Sequence, residues 1–140
     1  MDHEVADRLR SAAPLAFADL PVRFAYLYGS RAAGRPRPDS DVDVGVLCED
    51  TVTEPERVAS RCADALRAAA DVGGIEVTVL NGAPIRFLGR VLRQRIVLYS
   101  RDEPGRVAFE SRVGRMADDV EIWAGPTDHE LIAAIADGRR

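Results

Sequence analysis

Two aspartates separated by one valine are the residues of this sequence best placed to do chemistry. Asp41 and Asp43 open the segment Asp41–Leu47, in which positions 42, 44 and 46 are all valine. Side chains two residues apart in a β-strand point to the same face, so the two carboxylates are expected to converge. Like charges at that distance repel, and a hard divalent cation such as Mg²⁺, which prefers oxygen ligands, removes the repulsion. The pair therefore predicts a magnesium site.

A glycine–serine turn shortly before the acids predicts phosphate binding. The aromatic-rich strand candidate Val22–Tyr28 ends at Gly29 and Ser30. A strand that runs through such a turn into a helix presents free backbone N–H groups, which bind phosphate. Gly29 lets a ligand approach the backbone, and the Ser30 hydroxyl can donate to a phosphate oxygen. Positive charge is expected from Arg31 and Arg35, because all 19 basic residues are arginine and no lysine is available.

Each motif is weak when it stands alone. A glycine–serine pair after a strand is common, and an Asp-x-Asp pair also fits a solvated strand edge or a structural cation site. The two motifs one hairpin apart favour a site that binds a phosphate group together with a metal ion.

The elements that must position these residues follow from hydrophobic periodicity. The order predicts an α+β domain, a small mixed β-sheet with helices packed over one face. We expect one domain over residues 1–140, with a core at 22–100 and C-terminal helices at 104–137. The predicted elements are a helix at 2–13 ended by Pro14, strands at 22–28, 41–47, 75–80 and 96–99, a helix from the N-cap Thr53 to about residue 71, a helix at 84–93, a helix of about 18 residues after Pro104 that ends at Gly125-Pro126, and a short helix at 127–140.

Composition excludes several classes of function. A formal charge of −4 argues against a broad nucleic-acid-binding surface. No stretch approaches the roughly 20 apolar residues of a membrane span, and the first residues do not resemble a signal peptide. Cys48 and Cys62 form neither a CxxC pair nor a Cys/His cluster, so we expect free thiols, no zinc site and a cytoplasmic protein.

Two segments of the chain together resemble the signature of the minimal nucleotidyltransferases (MNT) of the polymerase-β superfamily: Gly29-Ser30-Arg31-Ala32-x-Gly34 and Ser40-Asp41-x-Asp43. The chain length is similar to that of the MNT antitoxins, which pair with HEPN-domain ribonuclease toxins. Three later segments are similar as well: Leu80-Asn81, Arg93 and Leu98-Tyr99. The resemblance covers residues 22–100 well and the C-terminal helix loosely. It implies a polymerase-β-like nucleotidyltransferase fold.

The resemblance also implies a reaction and a partner. In that family the paired acids hold Mg²⁺, the Gly-Ser turn holds the triphosphate of ATP, and a third carboxylate on a neighbouring strand completes the site. The third carboxylate falls on Glu76, as a metal ligand or general base. The implied activity is transfer of AMP from ATP to a tyrosine of a HEPN toxin. A hetero-oligomer with that toxin is expected, and self-association stays open.

Two departures from the family pattern leave alternatives open. Antitoxins of this type more often carry aspartate at the position of Glu76, and often arginine at that of Ala33. A degenerate module that neutralises its toxin by binding alone is therefore one alternative. A small-molecule nucleotidyltransferase is another, although no second domain is evident to form an acceptor pocket.

Overall fold

A four-stranded mixed sheet organises the residues that the computed structural model describes, which are 2–29 and 42–124. In chain order the elements within these ranges are α1 (Asp2–Ala16), β1 (Val22–Tyr28), β2 (Val42–Cys48), α2 (Pro55–Ala70), β3 (Ile75–Val79), α3 (Ile85–Arg93), β4 (Ile96–Ser100) and α4 (Glu103–Ala124). The four predicted strands are confirmed, with ends within one residue of the expected ones where both ends are described. The α+β class and the mixed sheet are confirmed as well.

The strand order is β3-β2-β1-β4. β1 is antiparallel to both of its neighbours, and β2 is parallel to β3. The parallel pair is joined through α2, which gives the crossover that a parallel connection requires. The two central strands, β1 and β2, are therefore the ones joined by the segment that carries the sequence motifs.

Helices cover both faces of the sheet, so the expectation of helices over one face is wrong. α1 and α2 pack on the first face, where the three valines of β2 are buried. α3 and α4 pack on the second face, over Phe24, Tyr26 and Leu47. Large apolar side chains on both sides of β1 and β2 require cover on both sides, because exposing each of them would cost about 1.5–3 kcal/mol.

Two helix boundaries differ from their sequence-based predictions. α1 continues through Pro14 to Ala16, and the Phe17 N–H still donates to the Ala13 carbonyl over 2.9 Å. Burial of Ala13 and Phe17 offsets the roughly 3 kcal/mol that an internal proline costs. α2 begins at Pro55 rather than after an N-cap at Thr53, and the residue in the N-cap position, Glu54, makes no side-chain capping bond.

Polar contacts fix α4 to the sheet. Asp102 accepts from the Gly105 N–H at the start of α4 and forms an ion pair of 2.7 Å with Arg23 of β1. Further along, the half-buried Glu110 accepts from the Tyr26 hydroxyl over 2.8 Å. Glu110 also pairs with Arg95 at 3.0 Å and with Arg106 at 2.8 Å. The buried carboxylate is thus compensated from three sides, as burial of a charge requires.

The predicted helix at 127–140 lies outside the described residues. Of the helices within residues 2–124 that the structure describes, none is long and apolar enough to cross a membrane.

We expect Leu9→Ala to lower the free energy of unfolding by about 2–5 kcal/mol, because Leu9 is completely buried in the first core and its loss leaves a cavity. Leu15→Ala on the same helix is the matched control, since Leu15 is 78% exposed and its replacement should change stability by less than about 0.5 kcal/mol. Denaturant unfolding of both variants measures the difference. Equal effects would contradict the packing of α1 against the sheet.

Candidate functional site

Three of the seven residues that the sequence assigns to the site are described, and the fold brings all three together. Gly29 follows β1, Asp43 lies on β2, and Glu76 lies on β3. The remaining four lie outside the described part of the chain: Ser30, Arg31, Arg35 and Asp41.

Strand register places the acids side by side. Tyr28 pairs with Asp43 across the antiparallel strands, and Asp43 pairs with Glu76 across the parallel ones. Paired residues of neighbouring strands project to the same face, and neighbouring strands lie about 4.8 Å apart. Tyr28, Asp43 and Glu76 therefore form one row across the second face of the sheet, with Asp43 half-buried and Glu76 exposed at the sheet edge.

The charges of the other two residues in this row affect the pKa of the Tyr28 hydroxyl. Partial burial raises the pKa of Tyr28, and the negative charges of Asp43 and Glu76 raise it further. A hydrogen bond with Thr78 and the positive charge of Arg90 act in the opposite direction. Both carboxylates and one guanidinium thus lie within electrostatic reach of a single hydroxyl.

Gly29 lies directly against the carboxylate of Asp43. Its φ of 80° is in the left-handed region, which glycine adopts without steric cost. A Cβ at this position would collide with Oδ2 of Asp43. Glycine is favoured here by its backbone conformation, and any larger residue would also displace the Asp43 carboxylate.

The backbone N–H of Gly29 is already engaged, and the expectation that this turn presents free N–H groups is wrong for this residue. It donates to Oε1 of Gln94 over 3.1 Å. Gln94 ends α3, and the pairing of Leu27 with Ile96 brings the segment before β4 alongside the segment after β1. Gly29 is therefore held between Asp43 on the β2 side and Gln94 on the β4 side.

The described donors fit a hard divalent cation in type. Two carboxylates on adjacent strands repel unless a positive charge lies between them, and Mg²⁺ takes oxygen ligands of this kind. Within the described residues, no group of three or more histidine, cysteine, aspartate or glutamate side chains forms a metal-binding cluster. Asp41, the partner of Asp43 in the sequence-based acid pair, is outside those residues, so the three-ligand site stays a prediction.

Three contributors to the site were not identified from the sequence: Thr78, Arg90 and Gln94. Thr78 carries a usable signal, because it lies two residues after Glu76 on the same strand and so shares its face. Arg90 and Gln94 are on or next to α3, more than 60 residues from Tyr28 and Gly29. No local pattern indicates a contact across that separation.

Comparison with known proteins gives one family and several similar structures. The family model described as polymerase beta, nucleotidyltransferase matches residues 16–104, a range that contains Gly29, Asp43 and Glu76. No curated protein gives a significant match to the chain.

Several of the similar solved structures contain toxin–antitoxin complexes. A chain of a toxin–antitoxin complex with AMP-PNP is 20% identical, with a TM-score of 0.60 over 94% of this chain and 98% of that one. A chain of the complex between tri-AMPylated HEPN toxin from Shewanella oneidensis and MNT antitoxin is 17% identical, with a TM-score of 0.61 over 94% and 99% of the two chains. A chain of the MntA–HepT toxin–antitoxin complex is 17% identical, with a TM-score of 0.62 over 89% and 97%. At these identities the likeness establishes the fold.

We expect Gly29→Ala to destabilise the protein more than Gly82→Ala, by up to about 1 kcal/mol, because the Asp43 carboxylate must move aside. Both glycines have positive φ, so both variants carry the roughly 1–2 kcal/mol cost of a left-handed alanine. Only at Gly29 does the new methyl group also meet a carboxylate, since a Cβ at Gly82 has nothing within 4 Å. Denaturant unfolding measures both.

Comparing Gly29→Ala with Gly82→Ala in an Asp43→Ala background tests whether the contact with the Asp43 carboxylate causes the difference in stability. Removing the carboxylate should abolish the excess cost of Gly29→Ala, which a double-mutant cycle detects as a favourable coupling. If the excess persists without the carboxylate, the contact with Asp43 is not its source.

Proposed function

Because the chain belongs to the polymerase beta, nucleotidyltransferase family, we propose that it transfers AMP from ATP to a tyrosine of a HEPN-domain toxin and so acts as that toxin's antitoxin. The observation that carries the proposal is the row formed by Asp43 and Glu76 beside the Gly29 turn, within the segment that matches the family. The shared fold with chains of complexes that contain AMPylated HEPN toxin or AMP-PNP supports the choice of partner and nucleotide.

The position of each residue suggests its role in the proposed reaction. The Gly29–Ser30 turn binds the triphosphate, and Arg31 and Arg35 compensate its charge. Arg90 adds a cation whose charge acts on the hydroxyl of Tyr28 in the same row. When bound, Mg²⁺ held by Asp41, Asp43 and Glu76 would neutralise the phosphate oxygens and stabilise the charge that develops on the leaving group.

As an alternative to ligating the metal, Glu76 is proposed to accept a proton. The acceptor tyrosine's oxygen attacks the α-phosphorus, a new O–P bond forms, the bond to the β-phosphate bridging oxygen breaks, and pyrophosphate leaves. The phenolic proton must leave the tyrosine, and Glu76 is exposed on the edge strand where an incoming protein side chain has access. A carboxylate within hydrogen-bonding reach of that hydroxyl is suited to take the proton. We place the reaction in the cytoplasm, where ATP and reduced cysteines coexist.

A second candidate function is neutralisation of the toxin by binding alone. The observation that favours it is the exposure of Glu76, because a longer, solvated side chain is held less rigidly than a buried aspartate. Transfer to a small-molecule hydroxyl is a third candidate, which the same exposed edge would admit. The following two experiments separate these candidates.

We expect Asp43→Asn to abolish AMP transfer, because it removes the central charge of the row while keeping the size of the side chain. Intact mass spectrometry of the cognate HEPN toxin, after incubation with the protein, ATP and Mg²⁺, should show a gain of whole AMP units with the wild-type protein only. Asp50→Asn, an exposed aspartate beyond the other end of β2, is the control and should retain transfer. A stable complex without any mass gain from the wild type would establish the binding-only function instead.

We expect Glu76→Gln to slow transfer by about 10²- to 10⁴-fold, the usual contribution of a general base, while binding of the ATP analogue AMP-PNP persists. Glu56→Gln, which alters an exposed glutamate on α2, should leave the rate unchanged. The readouts are the initial rate of pyrophosphate release in the presence of toxin and calorimetric affinity for AMP-PNP. Full activity of Glu76→Gln would exclude this residue as the base.

A further inference from the structure

Gln94 is the only glutamine in the chain, and half of its amide is engaged in the site. The acceptor for the Gly29 N–H must be an oxygen, so this hydrogen bond fixes which end of the amide faces the turn. The NH₂ group then lies at the other end. It has no hydrogen-bond partner among the residues that the structure describes, and the side chain is only half-buried.

The only asparagine shows what a purely structural amide looks like in this fold. Oδ1 of Asn81 accepts from the Cys48 N–H over 2.8 Å, and its Nδ2 donates to the Cys48 carbonyl over 2.9 Å. Both ends of that amide are used to tie the segment after β3 to the end of β2. Gln94 differs because its acceptor is used and its two donors are left over, beside a turn that belongs to the proposed nucleotide site.

The backbone around Gln94 is fixed from both sides. Its own N–H donates to the Val91 carbonyl over 3.2 Å at the end of α3. The guanidinium of the next residue, Arg95, donates to the Leu92 carbonyl and pairs with the half-buried Glu110 at 3.0 Å. A side chain with so well-anchored a backbone loses little freedom when a ligand binds, which is the advantage of preorganisation.

We infer that Gln94 is a triphosphate-binding residue, which holds the Gly29 turn with its amide oxygen and donates to a phosphate oxygen with its NH₂ group. The inference rests on the proposed function. Gly29 itself cannot offer its N–H to the ligand, because Gln94 occupies it. The amide replaces that donor with donors of its own further out, and accepting a hydrogen bond polarises an amide so that its NH₂ group donates more strongly.

Two substitutions distinguish the role of the Gln94 amide oxygen from that of its NH₂ group. Gln94→Glu keeps an oxygen for the Gly29 N–H but replaces the donor group by a negative charge. Gln94→Met is similar in length and loses both the acceptor and the donors. A contact with phosphate requires the order of AMP-PNP affinity to be wild type, then Met, then Glu, with a loss of about three- to tenfold for Met and more for Glu.

The melting temperatures of the same variants must follow a different order. Gln94→Met leaves the Gly29 N–H without its partner and should have the lowest melting temperature, while Gln94→Glu should stay closer to the wild type. Asn81→Leu is the structural control, because it loses two backbone contacts away from the site and should lower the melting temperature without changing AMP-PNP affinity. Differential scanning calorimetry and isothermal titration with Mg²⁺ and AMP-PNP measure both orders.

The outcomes distinguish this inference from the function on which it rests. The phosphate contact is supported if Gln94→Glu binds AMP-PNP most weakly while Gln94→Met has the lowest melting temperature. Gln94 is structural and the inference is overturned if the variants have the same order of AMP-PNP affinity as of melting temperature. It is also overturned if the wild type binds AMP-PNP and neither variant changes that affinity. A wild-type protein that does not bind AMP-PNP overturns the proposed function, and the inference with it.

Discussion

The constraint on which the rest of this fold depends is the alternation of β2. Its valines fill the first core, and the residue between two of them is Asp43, which faces the other side of the sheet. A slip of one residue in the pairing of β2 would turn the carboxylate into the first core and move the valines to the opposite face, so the register is strongly specified. Because β2 lies between β1 and β3, that register also fixes which residues flank Asp43, and it places Tyr28 on one side and Glu76 on the other.

Much of this arrangement could be predicted because it is local. Period-two patterns located the strands, and the alternation of β2 put its valines in one core and Asp43 on the opposite face. Long-range features gave no such signal. The sequence did not indicate that α3 and α4 cover the second face, and it did not reveal the contact between Gln94 and Gly29, which joins residues 65 positions apart. Local rules also failed where packing outweighed them, as in the continuation of α1 through Pro14.

The site differs from its sequence-based picture mainly in how it is supported. The sequence suggested a glycine–serine turn followed by two acids and did not indicate which residues support that turn. In the structure, Gly29 is held from both sides, by Asp43 and by a residue at the end of α3. That end of α3 is in turn connected through Arg95 to Glu110 on α4. The roles assigned from the sequence to Ser30, Arg31, Arg35 and Asp41 stay predictions, since these residues lie outside the described ranges.

The exclusive use of arginine has a consequence for how α4 responds to pH. A hydrogen bond from Arg23 holds the pKa of Asp102 below its ordinary value of 3.8, and one from Arg106 lowers the pKa of Glu103 from 4.5 to about 2. A carboxyl group whose pKa is depressed in the folded state stabilises the fold fully above its ordinary pKa, and this stabilisation disappears as the pH falls through the lower value. Guanidinium groups keep their charge in alkaline solution, where lysine would lose it. The ion pairs at the start of α4 therefore weaken in acid and persist in alkaline solution.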